Sequence, residues 1–285
     1  MKRKISAIIL LIAAAAMVLA LSACGSGKPV PAKDLENVKK AGVIKVGMEC
    51  NYAPFNWTQA SSSETAVKIA SGYADGYDVR IASELAESLG VKLEIVKLEW
   101  EGLIPALESG KIDAIIAGMS PTDERKVSID FSDPYYSSEL VMVVKADGAY
   151  SNAVSISDFS GARITGQLDT CNYDVIDQIE GVDKKTAMTD FPTMIAALQG
   201  DKIDGYVCEL PAAKSAVTAN SDLSYVRFDA GNGFTASDAE ISVSVGLRKG
   251  SNLASELNSA LAAIPAQERE ELMDWAIENQ PLSES

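Results

Sequence analysis

The chain has no histidine and only four cysteines among its 285 residues. Without histidine, nucleophilic catalysis by a Ser-His-Asp or Cys-His arrangement is excluded. The cysteines show no CxxC spacing, so a structural zinc site is also disfavoured. We therefore expect no metal, no cofactor and no enzymatic activity.

Positive charge is scarce as well, with 25 Lys and Arg residues against 40 Asp and Glu residues. The net charge of −15 argues against nucleic-acid binding, which requires clusters of basic side chains. It also disfavours close contact with an anionic lipid surface beyond an anchor. After residue 24, no stretch approaches the roughly 18 consecutive apolar residues that a membrane span needs.

What the chain does have at its start is the pattern of an export signal. Residues 2–4 are basic, residues 5–21 form an almost unbroken apolar run, and small residues precede Cys24. This order is typical of a signal peptide, which we place at residues 1–23. Residues 21–24 resemble a bacterial lipobox, which implies an acyl chain such as palmitate on Cys24. An uncleaved membrane anchor with an incidental cysteine is the alternative.

The glycine, serine and proline after Cys24 predict a flexible tether over residues 24–37. About 250 residues remain, enough for one large domain or two small ones. Strand and helix patterns alternate through them, which indicates an α/β fold with mostly parallel pairing. The patterns predict strands at 43–48, 91–95, 112–118 and 241–248, helices at 78–89, 103–107, 253–264 and 267–279, and an exposed loop at 58–76.

An internal echo indicates two related lobes. Residues 107–113 (LESGKID) reappear as residues 198–204 (LQGDKID) at an offset of 91. Each copy follows an apolar helix and precedes a hydrophobic strand. Chance similarity of a short turn is the alternative. Because ligands collect at the carboxyl ends of strands in open α/β sheets, the ends of these two strands are expected to face each other across a cleft.

The residues after the first echoed strand form a candidate anion site. Ser120 is a favourable N-cap and proline suits the next position, so a helix is expected to begin there. Its free N–H groups and the guanidinium of Arg125 would bind a carboxylate. A well-capped helix whose Arg125 pairs with Asp123 or Asp130 is the alternative.

Aromatic and acidic side chains supply further candidates. Tyr52 and Trp100 lie at strand ends, where aromatic rings can flank the apolar or cationic part of a ligand. Glu49 and Glu209 could pair with ammonium groups. Core aromatics and solvated surface glutamates are the alternatives and, for residues taken singly, the commoner cases.

Six motifs follow one another in the order of a known family. They are Tyr-Ala-Pro-Phe at 52–55, Gly-Tyr-Asp-Val at 76–79, Trp-Glu-Gly-Leu-Ile-Pro-Ala-Leu at 100–107, Gly-Lys-Ile-Asp-Ala at 110–114, Ser-Pro-Thr-Asp-Glu-Arg at 120–125 and Asp-Phe-Ser-Asp-Pro-Tyr-Tyr at 130–136. Over roughly residues 38–280 the chain resembles the amino-acid-binding receptors of ABC importers, bacterial solute-binding protein family 3. The resemblance implies the type II periplasmic binding-protein fold, in which two α/β lobes, each a mostly parallel sheet flanked by helices, enclose a ligand cleft.

The same resemblance implies how the chain is divided between the lobes. Lobe 1 is expected at residues 38–137 with a C-terminal return at 244–285, and lobe 2 at 138–243. Closure would occur about a hinge near residues 137–142 and 240–246. The last two helices are expected to cover lobe 1.

Together, residues and resemblance nominate a ligand site. It consists of Glu49, Tyr52, Trp100, Ala117, Gly118, Ser120, Arg125, Thr170, Cys171, Asn172 and Glu209. By resemblance, Tyr52 and Trp100 flank the side chain of the ligand. Gly118 and Ser120 contact its α-amino and α-carboxylate groups, and Arg125 clamps the carboxylate.

In lobe 2, the resemblance implies that residues 170–172 complete the carboxylate site and that Glu209 receives the α-ammonium group. The family commonly has aspartate at the position of Glu209, and a hydroxyl or glycine at that of Cys171. Cys50, Cys171 and Cys208 adjoin the pocket. We expect free, partly buried thiols there, since a disulfide across the cleft would hinder opening.

These features predict the substrate-binding component of an ABC importer, a monomer held by lipid at Cys24 on the extracytoplasmic face of the cell membrane. It would deliver an L-amino acid to a membrane permease. Glu49 in addition to Glu209 favours a basic ligand: arginine, lysine or ornithine. One alternative is a dehydratase-like enzyme on the same scaffold, with Glu49 or Glu209 as general acid or base. The other is a receptor that senses its ligand through a partner.

Overall fold

The structure is a computed structural model that describes residues 33–281. The predicted signal peptide at 1–23, the lipidated Cys24 and residues 25–32 of the predicted tether lie outside the described residues. Within 33–281, no helix combines the length and the apolar character that crossing a membrane requires.

Residues 34–37 belong to the first helix, α1 (Asp34–Ala41), rather than to the predicted flexible tether. The Asp34 carboxylate pairs with Arg248 at 2.9 Å. The backbone N–H of Leu35 donates to the side-chain oxygen of Asn252, also at 2.9 Å. These two contacts from the far end of the chain hold the start of α1 in place.

The remaining helices and strands are given in chain order. The other helices are α2 (Tyr77–Leu89), α3 (Leu103–Glu108), α4 (Arg125–Ser128), α5 (Cys171–Asp174), α6 (Phe191–Gln199), α7 (Leu210–Ala219), α8 (Leu253–Ala263) and α9 (Ala266–Asn279). The strands are β1 (Val43–Met48), β2 (Asn51–Tyr52), β3 (Asn56–Gln59), β4 (Val67–Ile69), β5 (Gly72–Asp75), β6 (Lys92–Lys97), β7 (Ala114–Ile115), β8 (Ile129–Ser137), β9 (Leu140–Lys145), β10 (Arg163–Thr165), β11 (Asp183–Lys184), β12 (Gly205–Glu209), β13 (Leu223–Val226) and β14 (Ser242–Arg248).

Two five-stranded sheets form the cores of two lobes. The first has the strand order β6-β1-β7-β14-β8, and the second β11-β10-β12-β9-β13. In each sheet the first three strands are parallel and the other pairings are antiparallel, so the expected parallel character holds for one half of each sheet. We call the part built on the first sheet lobe 1 and the part built on the second lobe 2. The chain passes from lobe 1 to lobe 2 between β8 and β9, and it returns to lobe 1 between β13 and β14.

The internal echo corresponds to the same local unit in both lobes, a helix and a turn followed by a strand. In lobe 1, Asp113 accepts a hydrogen bond from the backbone N–H of Lys45 at 2.9 Å. In lobe 2, Asp204 accepts from the backbone N–H of Arg163 at 2.8 Å. Each aspartate thus joins the end of the turn to the neighbouring parallel strand.

Residues 58–76, predicted as an exposed loop, form most of a small antiparallel sheet in lobe 1. Its order is β2-β3-β5-β4, and Trp57, Ala74 and Asp75 are buried in it. The prediction was wrong because strands of two to four residues give a weak periodic signal among many serines and glycines.

Two predicted elements near the cleft are shorter than expected. The helix predicted to begin at Ser120 begins at Arg125, and the hydroxyl of Ser120 donates to the carbonyl of Glu240 at 3.0 Å instead of capping a helix. The strand predicted at 112–118 corresponds to β7, which spans Ala114–Ile115.

The last two helices cover lobe 1 as expected, and α9 also reaches lobe 2. The ring of Trp275 stacks on Trp57 with 6.2 Å between ring centroids, and the guanidinium of Arg80 lies 5.1 Å from the Trp275 ring. Beyond the end of α9, the side-chain amide of Gln280 donates to the carbonyl of Ser215 on α7 at 2.9 Å. The C-terminal segment is therefore in contact with both lobes.

Candidate functional site

Residues that follow β1, β7 and β10, or end β12, meet between the two sheets, as the strand-end rule predicts. They surround a cavity of about 10 Å³, which is room for about one water molecule. Its walls are formed by Tyr52, Trp100, Gly118, Ser120, Arg125, Gln167, Thr170, Cys171, Asn172 and Glu209. A cleft of about 980 Å³ adjoins this cavity and shares Trp100, Arg125, Thr170 and Cys171 with it.

Tyr52 stands at the centre of the contacts between the lobes. Its ring stacks between Phe55 of lobe 1 and Phe191 of lobe 2, at centroid separations of 4.9 and 4.4 Å. Its hydroxyl donates to the carboxylate of Glu209. Burial and the neighbouring Glu209 raise the pKa of Tyr52 above its ordinary value, so the phenol stays a hydrogen-bond donor.

Arg125 provides a cation on the lobe 1 side of the cavity. Its guanidinium lies 5.0 Å from the centroid of the Trp100 ring. It donates to the carbonyl of Ser120 at 2.9 Å and, across the cleft, to that of Asp169 at 2.8 Å. Burial lowers the pKa of Arg125, but a guanidinium remains charged in proteins. Its planar donors match the geometry of a carboxylate.

The alternative explanation for Arg125, an ion pair within its own segment, is wrong. Asp123 pairs with Lys126 at 3.4 Å. Asp130 pairs with Lys249 at 2.7 Å. Both carboxylates have other partners, and the guanidinium of Arg125 donates to the carbonyl oxygens of Ser120 and Asp169.

Glu209 ends β12 and faces Tyr52 across the cleft. In addition to the Tyr52 hydroxyl, its carboxylate accepts a hydrogen bond from the side-chain amide of Asn172 at 3.0 Å. Both donors are neutral groups, and an ammonium group forms stronger, charge-assisted bonds to a carboxylate. Glu209 and Arg125 thus supply opposite charges to one cavity.

Glu49 follows β1 and is only 4 % exposed. Its Oε1 accepts from the side-chain amide of Gln167 at 3.1 Å, whereas its Oε2 is buried with no hydrogen-bond partner among the described residues. Burial raises the pKa of Glu49 to about 8; the bond from Gln167 opposes this rise, and Asp190, Glu99 and Glu101 add to it. A buried carboxyl oxygen in a negative environment is a favourable contact for a cation.

Residues 170–172 line the cavity from the start of α5. The Thr170 hydroxyl donates to the carbonyl of Gln167 at 2.8 Å. The thiol of Cys171 donates to the carbonyl of Glu240 at 3.4 Å. Burial raises the pKa of Cys171 to about 12, so its side chain is a neutral thiol.

Gly118 lines the cavity, whereas its neighbour Ala117 does not. The side chain of Ala117 packs in the apolar cluster of lobe 1 that contains Trp100, away from the cavity wall. Gly118 lines the cavity with a φ of 59°, and a Cβ at this position would lie 2.6 Å from the Tyr52 ring. Its N–H donates to the hydroxyl of Tyr135 at 3.2 Å. A ligand contact from Gly118 would therefore come from its carbonyl oxygen.

The three cysteines of the described chain, Cys50, Cys171 and Cys208, are free, as predicted, but they are buried more fully than expected. Burial raises the pKa of Cys50 to about 12 and that of Cys208 above its ordinary value. Neutral, buried thiols are inert. Within residues 33–281, no group of three or more His, Cys, Asp or Glu side chains is placed to hold a metal ion.

Four residues of the site were missed from the sequence: Gln167, Asp169, Phe191 and Glu240. Gln167 and Asp169 follow β10, a strand of three residues that gave no recognisable pattern. Phe191 opens α6 directly after Asp190, whose side chain caps the helix by accepting from the N–H of Thr193 at 2.8 Å. This N-cap signal was present in the sequence and could have placed Phe191 at an element boundary.

The sequence pattern that defines the bacterial extracellular solute-binding proteins, family 3, matches residues 44–275. The chain belongs to this family. The match includes all but the first residue of the two sheets and every residue that lines the cavity. The predicted family and the type II periplasmic binding-protein fold are therefore confirmed.

Relatives with this fold are amino-acid-binding proteins by name. A probable histidine-binding protein of Campylobacter jejuni is 34 % identical over 195 residues, which cover 67 % of this chain and 70 % of the relative. The arginine-binding extracellular protein ArtP of Bacillus subtilis is 29 % identical over 258 residues, 89 % of this chain and 90 % of ArtP. A crystal structure of an amino acid ABC transporter substrate-binding protein from Streptococcus pneumoniae bound to L-arginine has a TM-score of 0.75 at 26 % identity, covering 87 % of this chain and 98 % of that chain.

Proposed function

We propose that this protein is the substrate-binding component of an ABC importer for a basic L-amino acid, with L-arginine, L-lysine and L-ornithine as candidate ligands. The observation that carries the choice of a basic ligand is the buried Oε2 of Glu49, which has no hydrogen-bond partner among the described residues. The names of ArtP and of the arginine-bound structure support the same class.

The α-carboxylate and α-ammonium groups of an amino acid match the two charges of the cavity. Arg125 donates to the neutral carbonyls of Ser120 and Asp169, and a carboxylate is a stronger acceptor for its guanidinium. Glu209 accepts from two neutral donors, and an ammonium group is a stronger donor for its carboxylate. An amino acid would therefore exchange neutral partners for charged ones at both ends.

The acidic surroundings favour a cationic side chain on this ligand. Glu99, Glu101 and Asp190 lie close enough to Glu49 to raise its pKa. The adjoining cleft is lined by further carboxylates, from Glu101, Asp123, Glu124, Asp169, Asp174 and Glu240. These carboxylates outnumber Arg125 in the lining of the cleft. A cleft lined predominantly by one sign of charge concentrates ligands of the opposite sign and accelerates their association.

Ligand entry would require the lobes to separate, because a cavity of about 10 Å³ does not hold an amino acid. The two strands that pass between the lobes are joined where they cross. The N–H of Ser138 donates to the carbonyl of Ile241 at 2.9 Å, and the hydroxyls of Ser137 and Ser242 are 2.9 Å apart. We place the hinge here, where the chain passes from β8 to β9 and from β13 to β14.

Anchoring by lipid on Cys24 would hold the receptor, as a monomer, on the extracytoplasmic face of the cell membrane. A tether of this kind raises the local concentration of the receptor near its permease. Delivery to a permease, rather than chemistry on the ligand, fits a site in which Glu209 and Glu49 bond to neutral donors.

Isothermal titration calorimetry with single amino acids tests the proposal. The panel comprises L-arginine, L-lysine, L-ornithine, L-histidine, L-cystine, L-glutamate and L-leucine. We expect a Kd of about 1 μM or below for at least one of the first three. Tight binding of an acidic, apolar or cystine ligand alone would refute the basic specificity.

A further inference from the structure

Four hydrogen bonds connect two turns of the site through the interior of lobe 1. On one side, the N–H of Cys50 donates to the side-chain oxygen of Asn56 at 2.7 Å, and the Asn56 amide donates to Asp78 at 2.8 Å. On the other side, the N–H of Gly118 donates to the Tyr135 hydroxyl at 3.2 Å, and this hydroxyl donates to Asp78 at 2.7 Å. The two halves meet at the carboxylate of Asp78.

The turns at the two ends of this network share an uncommon backbone conformation. Cys50 has a φ of 57° and Gly118 a φ of 59°, in the left-handed region that residues with a Cβ rarely adopt. Cys50 lies between Glu49 and Tyr52, and Gly118 lies against the Tyr52 ring. The backbone conformation of these two turns therefore sets the orientation of the residues that lobe 1 contributes to the site.

The direction of each bond in the network follows from its ends. A backbone N–H can only donate, so the Tyr135 hydroxyl accepts from Gly118 and its single proton goes to Asp78. The side-chain oxygen of Asn56 accepts from Cys50, so its NH₂ group faces Asp78. Asp78 must therefore accept with both oxygens, which a carboxylate does and an amide does not.

The surroundings of Asp78 support a carboxylate at this position. Asn56, Asp78 and Tyr135 are all completely buried. Asp78 lies in the first turn of α2, where the helix dipole favours negative charge. Burial raises the pKa of Asp78 to about 6, and the bonds from Tyr135, Asn56 and the backbone N–H of Gly118 oppose this rise, so the side chain is ionised at neutral pH.

We propose that Asp78 is a positioning residue: through Asn56 and Tyr135, its carboxylate holds the two left-handed turns that present the lobe 1 side of the ligand site. The consequence for ligand affinity rests on the proposed function, because it concerns the same site. The consequence for the two turns does not depend on any ligand.

Tyr135→Phe tests the proposal, with Tyr77→Phe as its matched control. Tyr135→Phe removes the hydroxyl that joins Gly118 to Asp78. Tyr77 is equally buried, its ring lies 6.1 Å from that of Tyr135, and its hydroxyl donates to the Tyr135 carbonyl at 3.0 Å. Tyr77→Phe therefore removes one buried hydroxyl from the same region while leaving the Asp78 network intact.

Amide hydrogen exchange measured by NMR on the protein alone is the first readout. In Tyr135→Phe we expect the Gly118 amide to exchange about tenfold faster than in Tyr77→Phe, because it has lost the Tyr135 hydroxyl as an acceptor and keeps only its contact with Asp78. In Asp78→Asn we expect faster exchange at both Gly118 and Cys50, since the new NH₂ group faces a donor. Equal exchange at Gly118 in the two Tyr→Phe variants would overturn the proposal.

Calorimetric titration with L-arginine is the second readout. We expect Tyr135→Phe to weaken the Kd by about tenfold and Tyr77→Phe to leave it within about twofold. Equal Kd values for the two variants would overturn the role in binding. Failure of the unmodified protein to bind L-arginine would count against the proposed function instead, and the exchange experiment would still decide the role of Asp78.

Discussion

Asp113 in lobe 1 and Asp204 in lobe 2 occupy the same position of the echoed unit, but their arginine partners differ. Asp113 pairs with Arg248 of β14 at 3.5 Å, and Arg248 also pairs with Asp34 of α1 at 2.9 Å. Asp204 pairs at 2.6 Å with Arg163, which belongs to the adjacent strand of the same unit.

This difference indicates that the two lobes have different roles. In lobe 1, Arg248 joins elements from the beginning, middle and end of the described chain, and the Asp78 network ties the site turns to the same core. In lobe 2, the corresponding ion pair is local and more exposed. We interpret lobe 1 as the frame that fixes the charged side of the site and lobe 2 as the part that closes onto it.

The largest expected effect is the loss of ligand affinity in Arg125→Ala. This change removes the lobe 1 cation that would pair with the α-carboxylate of any amino acid. We expect the Kd of every amino acid that binds to rise by about a hundredfold, or about 3 kcal/mol. Calorimetric titration checks this, with Arg163→Ala in lobe 2 as the control for removal of an arginine away from the cavity. Similar losses of ligand affinity in the two variants would contradict the proposal that lobe 1 fixes the charged side of the site.

The free energy of unfolding should depend more on the arginine of lobe 1 than on the arginine of lobe 2. Arg248→Met leaves the carboxylates of Asp34 and Asp113 without their cation, and we expect the free energy of unfolding to fall by about 3 kcal/mol. Arg163→Met should cost less, because the Arg163 and Asp204 side chains are 36 % and 24 % exposed, against 19 % and 9 % for Arg248 and Asp34. Urea unfolding of both variants measures the two losses. A larger loss in Arg163→Met would reverse the comparison.

The pH dependence of stability tests the burial of Glu49. Its pKa is about 8 in the folded protein and 4.5 ordinarily, so between these values the folded state binds more protons than the unfolded state. The contribution of Glu49 to stability is therefore fully present below pH 4.5 and is lost as the pH rises to about 8. The slope is at most about 1.4 kcal/mol per pH unit. Urea unfolding across this range should show a flatter profile for Glu49→Gln, and parallel profiles would contradict the burial of this carboxyl group.

Most of the fold could be predicted because its longer elements have clear periodicity. The strand at Val43–Met48 and the helix at Tyr77–Leu89 lie close to their predicted bounds. The small sheet that includes most of 58–76 could not be predicted, since strands of two to four residues are too short for a reliable alternation of apolar and polar residues. The helix expected at Ser120 failed for a different reason. Its N-cap signal is real, but the hydroxyl is used by Glu240 from a distant part of the chain.

The site residues, like the elements of the fold, include some that could be predicted from the sequence and some that could not. Strand-end reasoning and the family motifs nominated Glu49, Arg125 and Glu209, the three ionisable side chains on which the proposed ligand contacts rest. Gln167 was missed, because its bond to Glu49 joins residues 118 positions apart and has no local signature. The role of Asp78 was not evident either, although its motif was recognised, because it depends on contacts with Asn56 and Tyr135 that only the folded chain brings together.

The pairing of Glu49 with a cationic ligand side chain is tested most directly by comparing L-arginine with L-citrulline, which replaces the guanidinium by a neutral group of similar shape. Their Kd values would be measured by calorimetry for the unmodified protein and for Glu49→Gln. We expect the unmodified protein to prefer L-arginine by about a hundredfold and Glu49→Gln to bind the two ligands with Kd values within about threefold of each other. Equal affinities in the unmodified protein, or an undiminished preference in Glu49→Gln, would contradict a cationic ligand at Glu49.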